Sequence, residues 1–270
     1  MVELKTPREI ETMQRAGRVV AGLLRQMETL VRPGMKTQAL DDASRAYLKQ
    51  AGAEPAFLGY RGFPASVCVS VNDEVVHGIP GERVIRDGDV VSVDAGAVVD
   101  GFYADAAVTI MVGRSSGQVR QLVDTTRAAL EAGISQAVAG NRVSDISHAV
   151  QQRVEADGFG IVRDFVGHGI GRALHEDPPV PNFGPPHLGP RLQVGMVLAI
   201  EPMVTMGDPA VHVLADGWTA VTNDHSVAAH WEHTVAIGER GATVLTAVDD
   251  RVKLELSPYD LSRGRITFRL

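Results

Sequence analysis

Four acidic side chains in this 270-residue sequence stand inside apolar runs, where an unpaired carboxylate is costly to bury. Asp94 follows Val90-Val91-Ser92-Val93 and Asp105 follows Phe102-Tyr103-Ala104, with Asp100-Gly101 between the two runs. An Asp-Gly pair between apolar strands predicts a hairpin with a two-residue loop. With that loop Asp94 faces Ala107, Asp105 faces Gly96, and the two carboxylates share one face as diagonal neighbours, ~7–8 Å apart at the backbone and within reach of a common cation. Glu201 lies between Met196-Val197-Leu198-Ala199-Ile200 and Pro202-Met203-Val204, and Glu232 lies within Ala228-Ala229-His230-Trp231-Glu232-His233-Thr234-Val235. A carboxylate so placed must pair with a cation or bind metal, and a buried ion pair with arginine is the plain alternative for either glutamate.

The fifth residue is His168, in Gly167-His168-Gly169-Ile170-Gly171. Glycines on both sides let the backbone approach a ligand closely or take positive φ. The spacing is not a dinucleotide fingerprint, and an ordinary surface-loop histidine is the alternative. Four carboxylates and one imidazole suit Mn, Fe(II), Co or Zn in an open site rather than a closed structural zinc. Four carboxylates exceed what one divalent ion needs, so two ions with a bridging water as nucleophile are expected.

The elements that must carry these residues are legible from pattern. Thr6-Pro7-Arg8-Glu9 supplies an N-cap, a proline at the first helical position and a capping-box glutamate, predicting a helix that ends at Pro33-Gly34. A second helix is expected from after Thr37 to Gly52. Strands follow at Ser66 to Val71, Val90 to Val98 and Phe102 to Val112. Helices return at Gln118 to Ala139 and Asp145 to Ala156, the latter with Ser144 as its cap. The remaining strands are Gly195 to Val204, Val211 to Leu214, Thr219 to Thr222, Ser226 to Ile237 and Thr243 to Ala247. Two helices then strands, twice over, predict an α+β domain over 1–248 in two related halves, about 5–115 and 116–248, with a tail at 249–270 of no assigned role.

Composition narrows the function. A net charge of −7 and only four Tyr and two Trp weigh against nucleic acid as a partner. Cys68 is the single cysteine, which excludes an internal disulfide and any multi-cysteine zinc site. There is no signal-peptide pattern and no run of ~18 apolar residues, so a cytoplasmic protein without membrane contact is expected.

Several motifs in order resemble the type I methionine aminopeptidases over about residues 5 to 248. They are Leu58-Gly59-Tyr60-Arg61-Gly62-Phe63-Pro64, Cys68-Val69-Ser70-Val71-Asn72 through Val76-His77-Gly78-Ile79-Pro80, the Asp94 and Asp105 hairpin, the His168 loop, Glu201-Pro202 and His230-Trp231-Glu232-His233-Thr234. The resemblance implies the pita-bread fold with two pseudo-symmetric halves, and hydrolytic removal of the initiator methionine from new polypeptides when the second residue is small. It implies that Asp94, Asp105, His168, Glu201 and Glu232 hold two divalent ions, with Asp105 and Glu232 bridging and Glu201 as general base toward the bridging water. It implies that His77 and His175 contact substrate near the scissile amide, and that Tyr60, Phe63, Cys68 and Trp218 wall the methionine pocket. Leu174, where the family often has an aromatic residue, and Phe57, where it often has a smaller one, are departures that bear on pocket shape. The family suggests a monomer that meets nascent chains near the ribosome.

Two other readings share the residues. A prolidase or X-Pro aminopeptidase keeps fold and metals but usually carries an extra N-terminal domain. A non-catalytic pita-bread protein that binds peptides usually loses metal ligands, and all five are present here.

Overall fold

The computed structural model describes residues 2–247, together with the backbone of two paired strands, Lys253–Ser257 and Asp260–Phe268. Apart from that pair, the tail assigned to 249–270 lies outside the described residues.

Helix α1 spans Pro7–Leu30, and its capping box forms as predicted: the Glu9 amide donates to Thr6 Oγ1, and the Glu9 carboxylate accepts from the Thr6 amide. Helix α2 spans Gln38–Ala51 and ends on Gly52 in the left-handed region. Helix α3 spans Gly117–Gln136, shorter than expected, because Ala137 leaves helical geometry before Gly140 is reached. Helix α4 spans Val143–Ala156 and starts ahead of the expected cap: Ser144 Oγ accepts from the Leu188 amide, while the Asp145 carboxylate accepts from the Arg142 amide.

The hairpin forms in the predicted register, Val90–Val99 against Phe102–Met111, with Asp94 opposite Ala107 and Gly96 opposite Asp105. Asp100 and Gly101 at φ 49° and 76° make the two-residue loop. The hairpin sits within a sheet whose pairings are all antiparallel among the described residues. Across it the order is Glu54–Pro55, Val90–Val99, Phe102–Met111, Glu232–Gly238, Val197–Ile200, Gly167–Gly169, Glu176–Val180; Val67–Val71 also pairs with Val90–Val99, and Gly241–Val244 with Glu232–Gly238. Strands from both halves of the chain therefore meet at the Phe102–Met111 and Glu232–Gly238 pair.

Alternation along these strands separates core from site. Val91, Val93, Ala95, Ala104, Ala106 and Val108 pack with Val20, Leu23 and Met27 of α1. Leu198, Ile200, Val235 and Ile237 pack with Leu130 of α3 and Ile146 of α4. The helices thus cover one face, and Asp94, Asp105, Glu232 and Ala199 point to the other.

Two expected strands break, one at Glu201-Pro202 and one at Trp231, the residue before Glu232. Gly195 to Val204 becomes Val197–Ile200 and Met203–Thr205, and Ser226 to Ile237 becomes Ala228–His230 and Glu232–Gly238. Pro202 cannot donate to a ladder, so the chain leaves one sheet at Glu201 and joins a second, in which Met203–Thr205 pairs with Ala228–His230. The last expected strand is Gly241–Val244, shorter than and displaced from Thr243 to Ala247.

Candidate metal and substrate site

Three local devices deliver the four carboxylates. Asp94 and Asp105 come from the hairpin, and Glu232 is brought beside them by antiparallel pairing with Ala107. Thr234 fixes that junction, its Oγ1 accepting from the Asp105 amide at 3.0 Å and donating to the Asp105 carbonyl at 2.8 Å. Glu201 follows the strand that pairs with Glu232–Gly238, and Asn182 Nδ2 donates to its carbonyl at 2.9 Å.

His168 is not in a surface loop: it sits in the strand Gly167–Gly169, opposite Ala199, and is 6% exposed. Its flanking glycines serve strand packing rather than a ligand or positive φ. A Cβ on Gly167 would collide with the Ala199 carbonyl, and one on Gly169 with the Asp177 carbonyl.

Asp105, His168 and Glu232 each offer a ligand atom, and these atoms lie within 4.8 Å of one another. Glu201 joins them through Oε1, 3.6 Å from His168 Nε2. Asp94 stands outside that tightest group but lines the same cavity of about 150 Å3. The cavity wall also includes His77, His175, Tyr60, Phe63, Cys68 and Trp218, so the structure brings all the sequence-predicted site residues together. Leu174 and Phe57 line it as well, 2% and 7% exposed.

The site's electrostatics are unbalanced. Burial raises the Asp94 carboxyl to about 7, and burial with repulsion from neighbouring carboxylates holds Asp105, Glu201 and Glu232 well above the usual range. Among the described residues no Lys or Arg lies within 4.0 Å of these four, so the arginine-pair alternative does not hold. Asp94 Oδ1, Asp105 Oδ1 and Glu232 Oε1 are buried without a hydrogen-bond partner. Burial and nearby His175 push His168 down to about 3, so its ring is neutral. Its Nδ1–H donates to the Gly169 carbonyl at 2.9 Å, which leaves Nε2 with a lone pair directed at the Glu201 carboxylate. Acceptor facing acceptor, beside orphaned carboxylate oxygens, calls for protons or metal cations between them, and this mixed oxygen and nitrogen set fits divalent metal.

The outer part of the cavity is aromatic, with Arg61 as the one Lys or Arg among its described lining residues. Burial and the charge of His175 lower His77 to about 4; burial and the Arg61 guanidinium lower His175. His175 stacks on Tyr60 and shares a 2.8 Å hydrogen bond between Nδ1 and Tyr60 Oη. His77 meets Phe165 edge-on at 5.3 Å, and Phe63 meets Trp218 edge-on at 5.1 Å.

Two residues escaped assignment from sequence. His230 is 2% exposed, with Nε2 unpartnered and 3.9 Å from Glu201 Oε2; its position two residues before Glu232 was the available signal. Arg61 lines the cavity, and its place next to Tyr60 in the Leu58-to-Pro64 motif was the available signal.

Comparison with known proteins gives consistent results. Residues 11–239 match metallopeptidase family M24. Methionine aminopeptidase 1 of Bacillus subtilis (strain 168) is 50% identical over 248 residues, covering 92% of this chain and 100% of that protein. Methionine aminopeptidase 1 of Mycobacterium tuberculosis (strain CDC 1551 / Oshkosh) is 47% identical over 253 residues, covering 91% and 95%. The crystal structure of methionine aminopeptidase from Thermotoga maritima superposes with a TM-score of 0.91 at 49% identity, covering 92% of this chain and 100% of that one. Prolidase from Pyrococcus furiosus shares the fold alone, at a TM-score of 0.75 and 23% identity over 91% of this chain and 65% of that one. The curled antiparallel sheet with helices outside is the pita-bread α+β fold.

Proposed function

The chain belongs to metallopeptidase family M24, and from that premise we propose that it is a methionine aminopeptidase acting on the amino termini of nascent polypeptides. The observation that carries this reading is one cavity in which orphaned carboxylates and a neutral imidazole adjoin an aromatic and thiol wall. A thioether side chain packs well against the rings of Tyr60, Phe63 and Trp218 and the Cys68 sulfur. Leu174 and Phe57 complete that wall, and a small second residue is the expected preference.

Asp94, Asp105, His168, Glu201 and Glu232 would hold two divalent ions. Such ions polarise the scissile carbonyl and lower the pKa of a water, at Mn, Fe(II), Co or Zn alike. Glu201 is assigned as general base: its carboxylate, with Oε1 3.6 Å from His168 Nε2 in the same cluster, is placed to take the proton from the attacking water and pass it to the leaving amine. With Tyr60 Oη donating to His175 Nδ1, the imidazole presents Nε2–H to the substrate near the scissile amide. His77, neutral and held by Phe165, serves as the second donor.

Residues 1–248 form the single catalytic domain, working as a monomer in the cytoplasm near the ribosome. Consistent with this, no helix of the described residues is long and apolar enough to cross a membrane. The test is release of free methionine from a Met-Ala-Ser peptide by chelator-stripped protein titrated with each of the four metals, with Glu201→Ala as control. Metal-dependent release lost in the control is the expected result. No release with any metal from folded protein overturns the reading, and release of the first residue only from X-Pro peptides replaces it with the prolidase reading.

A further inference from the structure

We propose that Arg61 reads charge on the polypeptide downstream of the second residue, favouring acidic and disfavouring basic side chains there. The inference rests on the aminopeptidase reading above and concerns a part of the substrate that reading leaves unassigned.

The turn that carries Arg61 is closed on itself. The Gly59 amide donates to the Phe63 carbonyl at 2.8 Å, and the Phe63 amide donates back to the Tyr60 carbonyl at 2.9 Å. Arg61 sits at its tip with φ 48°, a left-handed conformation that a side chain other than Asn or Asp rarely takes. The fold thus holds a long cationic side chain in a strained position at the cavity mouth. Strain of this kind is retained where the surrounding structure imposes it, and such places gather at ligand sites.

The guanidinium lies 5.5 Å from the centre of the Tyr60 ring, and Tyr60 is bonded to His175. Arg61 is exposed, and among the described residues no carboxylate lies within 4.0 Å of it. Arg45 and Arg172 contrast with it, since they pair with Asp41 and Glu9. Among the described residues lining the cavity, Arg61 is the only Lys or Arg. A peptide enters amino end first, so its downstream residues leave past the mouth at ~3.3–3.6 Å per residue. From the scissile amide beside His175, the third and fourth residues pass within reach of a side chain as long as arginine.

A single exposed charge pair changes affinity by roughly 1.4- to 5-fold, and exchanging an attractive charge for a repulsive one roughly squares that ratio. Release of methionine is therefore compared for Met-Ala-Glu-Ser-amide, Met-Ala-Gln-Ser-amide and Met-Ala-Lys-Ser-amide, using metal-loaded wild type, Arg61→Gln and Arg61→Glu at low and high salt. In wild type the expected order of kcat/KM is Glu, Gln, Lys, with a Glu-to-Lys ratio of roughly two- to 25-fold carried in KM and compressed by salt. Arg61→Gln brings the ratio close to one, and Arg61→Glu inverts it. Each ratio is internal to one protein, so partial loss of fold or metal in a variant cancels. A Glu-to-Lys ratio unchanged between wild type and Arg61→Gln overturns the inference alone. Failure of wild type to act on the uncharged peptide overturns the aminopeptidase reading, and this inference with it.

Discussion

Stripping the metal should make the protein's stability fall as pH rises, because the site's carboxylates are held protonated by burial. Asp94 gives the magnitude: its carboxyl moves from 3.8 to about 7 on folding. A carboxyl with a raised folded pKa contributes stability that is complete below its unfolded pKa and is lost as pH climbs toward the folded value. For Asp94 that window runs from about 4 to about 7. Between pH 5 and 7 two pH units operate, about 2.7 kcal/mol at 1.36 kcal/mol per unit. Halving this for the side of Asp94 that opens to the cavity leaves about 1.4 kcal/mol, or roughly 3–6 °C in Tm for a chain of this size. Asp105, Glu201 and Glu232 are shifted in the same direction and extend the decline to higher pH. The assay is scanning calorimetry of chelated wild type and chelated Asp94→Asn at pH 5 and pH 7, each repeated with metal. Subtracting the variant cancels the titrating groups that do not interact with Asp94; Asp105, Glu201 and Glu232, which Asp94 repels, are raised less in the variant and widen the difference. Stripped wild type should lose roughly 3–6 °C against stripped Asp94→Asn over this interval, and with metal the order at pH 7 should reverse. Parallel pH dependence of the two stripped proteins would refute the claim that Asp94 is buried uncompensated without metal.

Other expectations follow from particular contacts. Glu201→Gln keeps the shape of the site but cannot take a proton, so methionine release should fall at least ~100-fold; a fall of under tenfold in protein that retains metal by elemental analysis removes Glu201 as the base. Gly167→Ala forces a Cβ onto the Ala199 carbonyl and moves the strand bearing His168, so a loss of about 1–3 kcal/mol in urea unfolding and weaker metal retention should appear together. Metal retention unchanged in a destabilised variant would separate His168 from the site. Thr234→Val removes both hydrogen bonds to the Asp105 backbone and should cost about 1–3 kcal/mol, read from the urea midpoint; an unchanged midpoint would mean that water replaces the hydroxyl.

The sequence by itself determined what depends on neighbours along the chain. Asp100-Gly101 sets a two-residue loop, the loop sets the register, and a strand's period of two then puts Asp94 and Asp105 on one face. Thr6, Pro7 and Glu9 start α1 because capping groups sit within one turn of the amides they satisfy. Their apolar or glycine-rich settings singled out His168, Glu201 and Glu232, and motif resemblance added His77, His175 and the pocket wall, but no local rule could say that Glu232 pairs across from Ala107 or His168 across from Ala199. Those pairings join distant segments, and their register is chosen by which face each strand must bury against α1, α3 and α4. Tertiary structure alone decided that the strands at Glu201 and Trp231 break to serve two sheets. It also decided that Gly167 and Gly169 make room for neighbouring backbone, and that His168 turns a bare nitrogen toward Glu201 because its other nitrogen is spent on the Gly169 carbonyl. The placement of Arg61 at the mouth belongs here too: the closed turn at Gly59–Phe63 fixes where the guanidinium stands, and its worth as a contact depends on which charges the rest of the fold leaves beyond its reach.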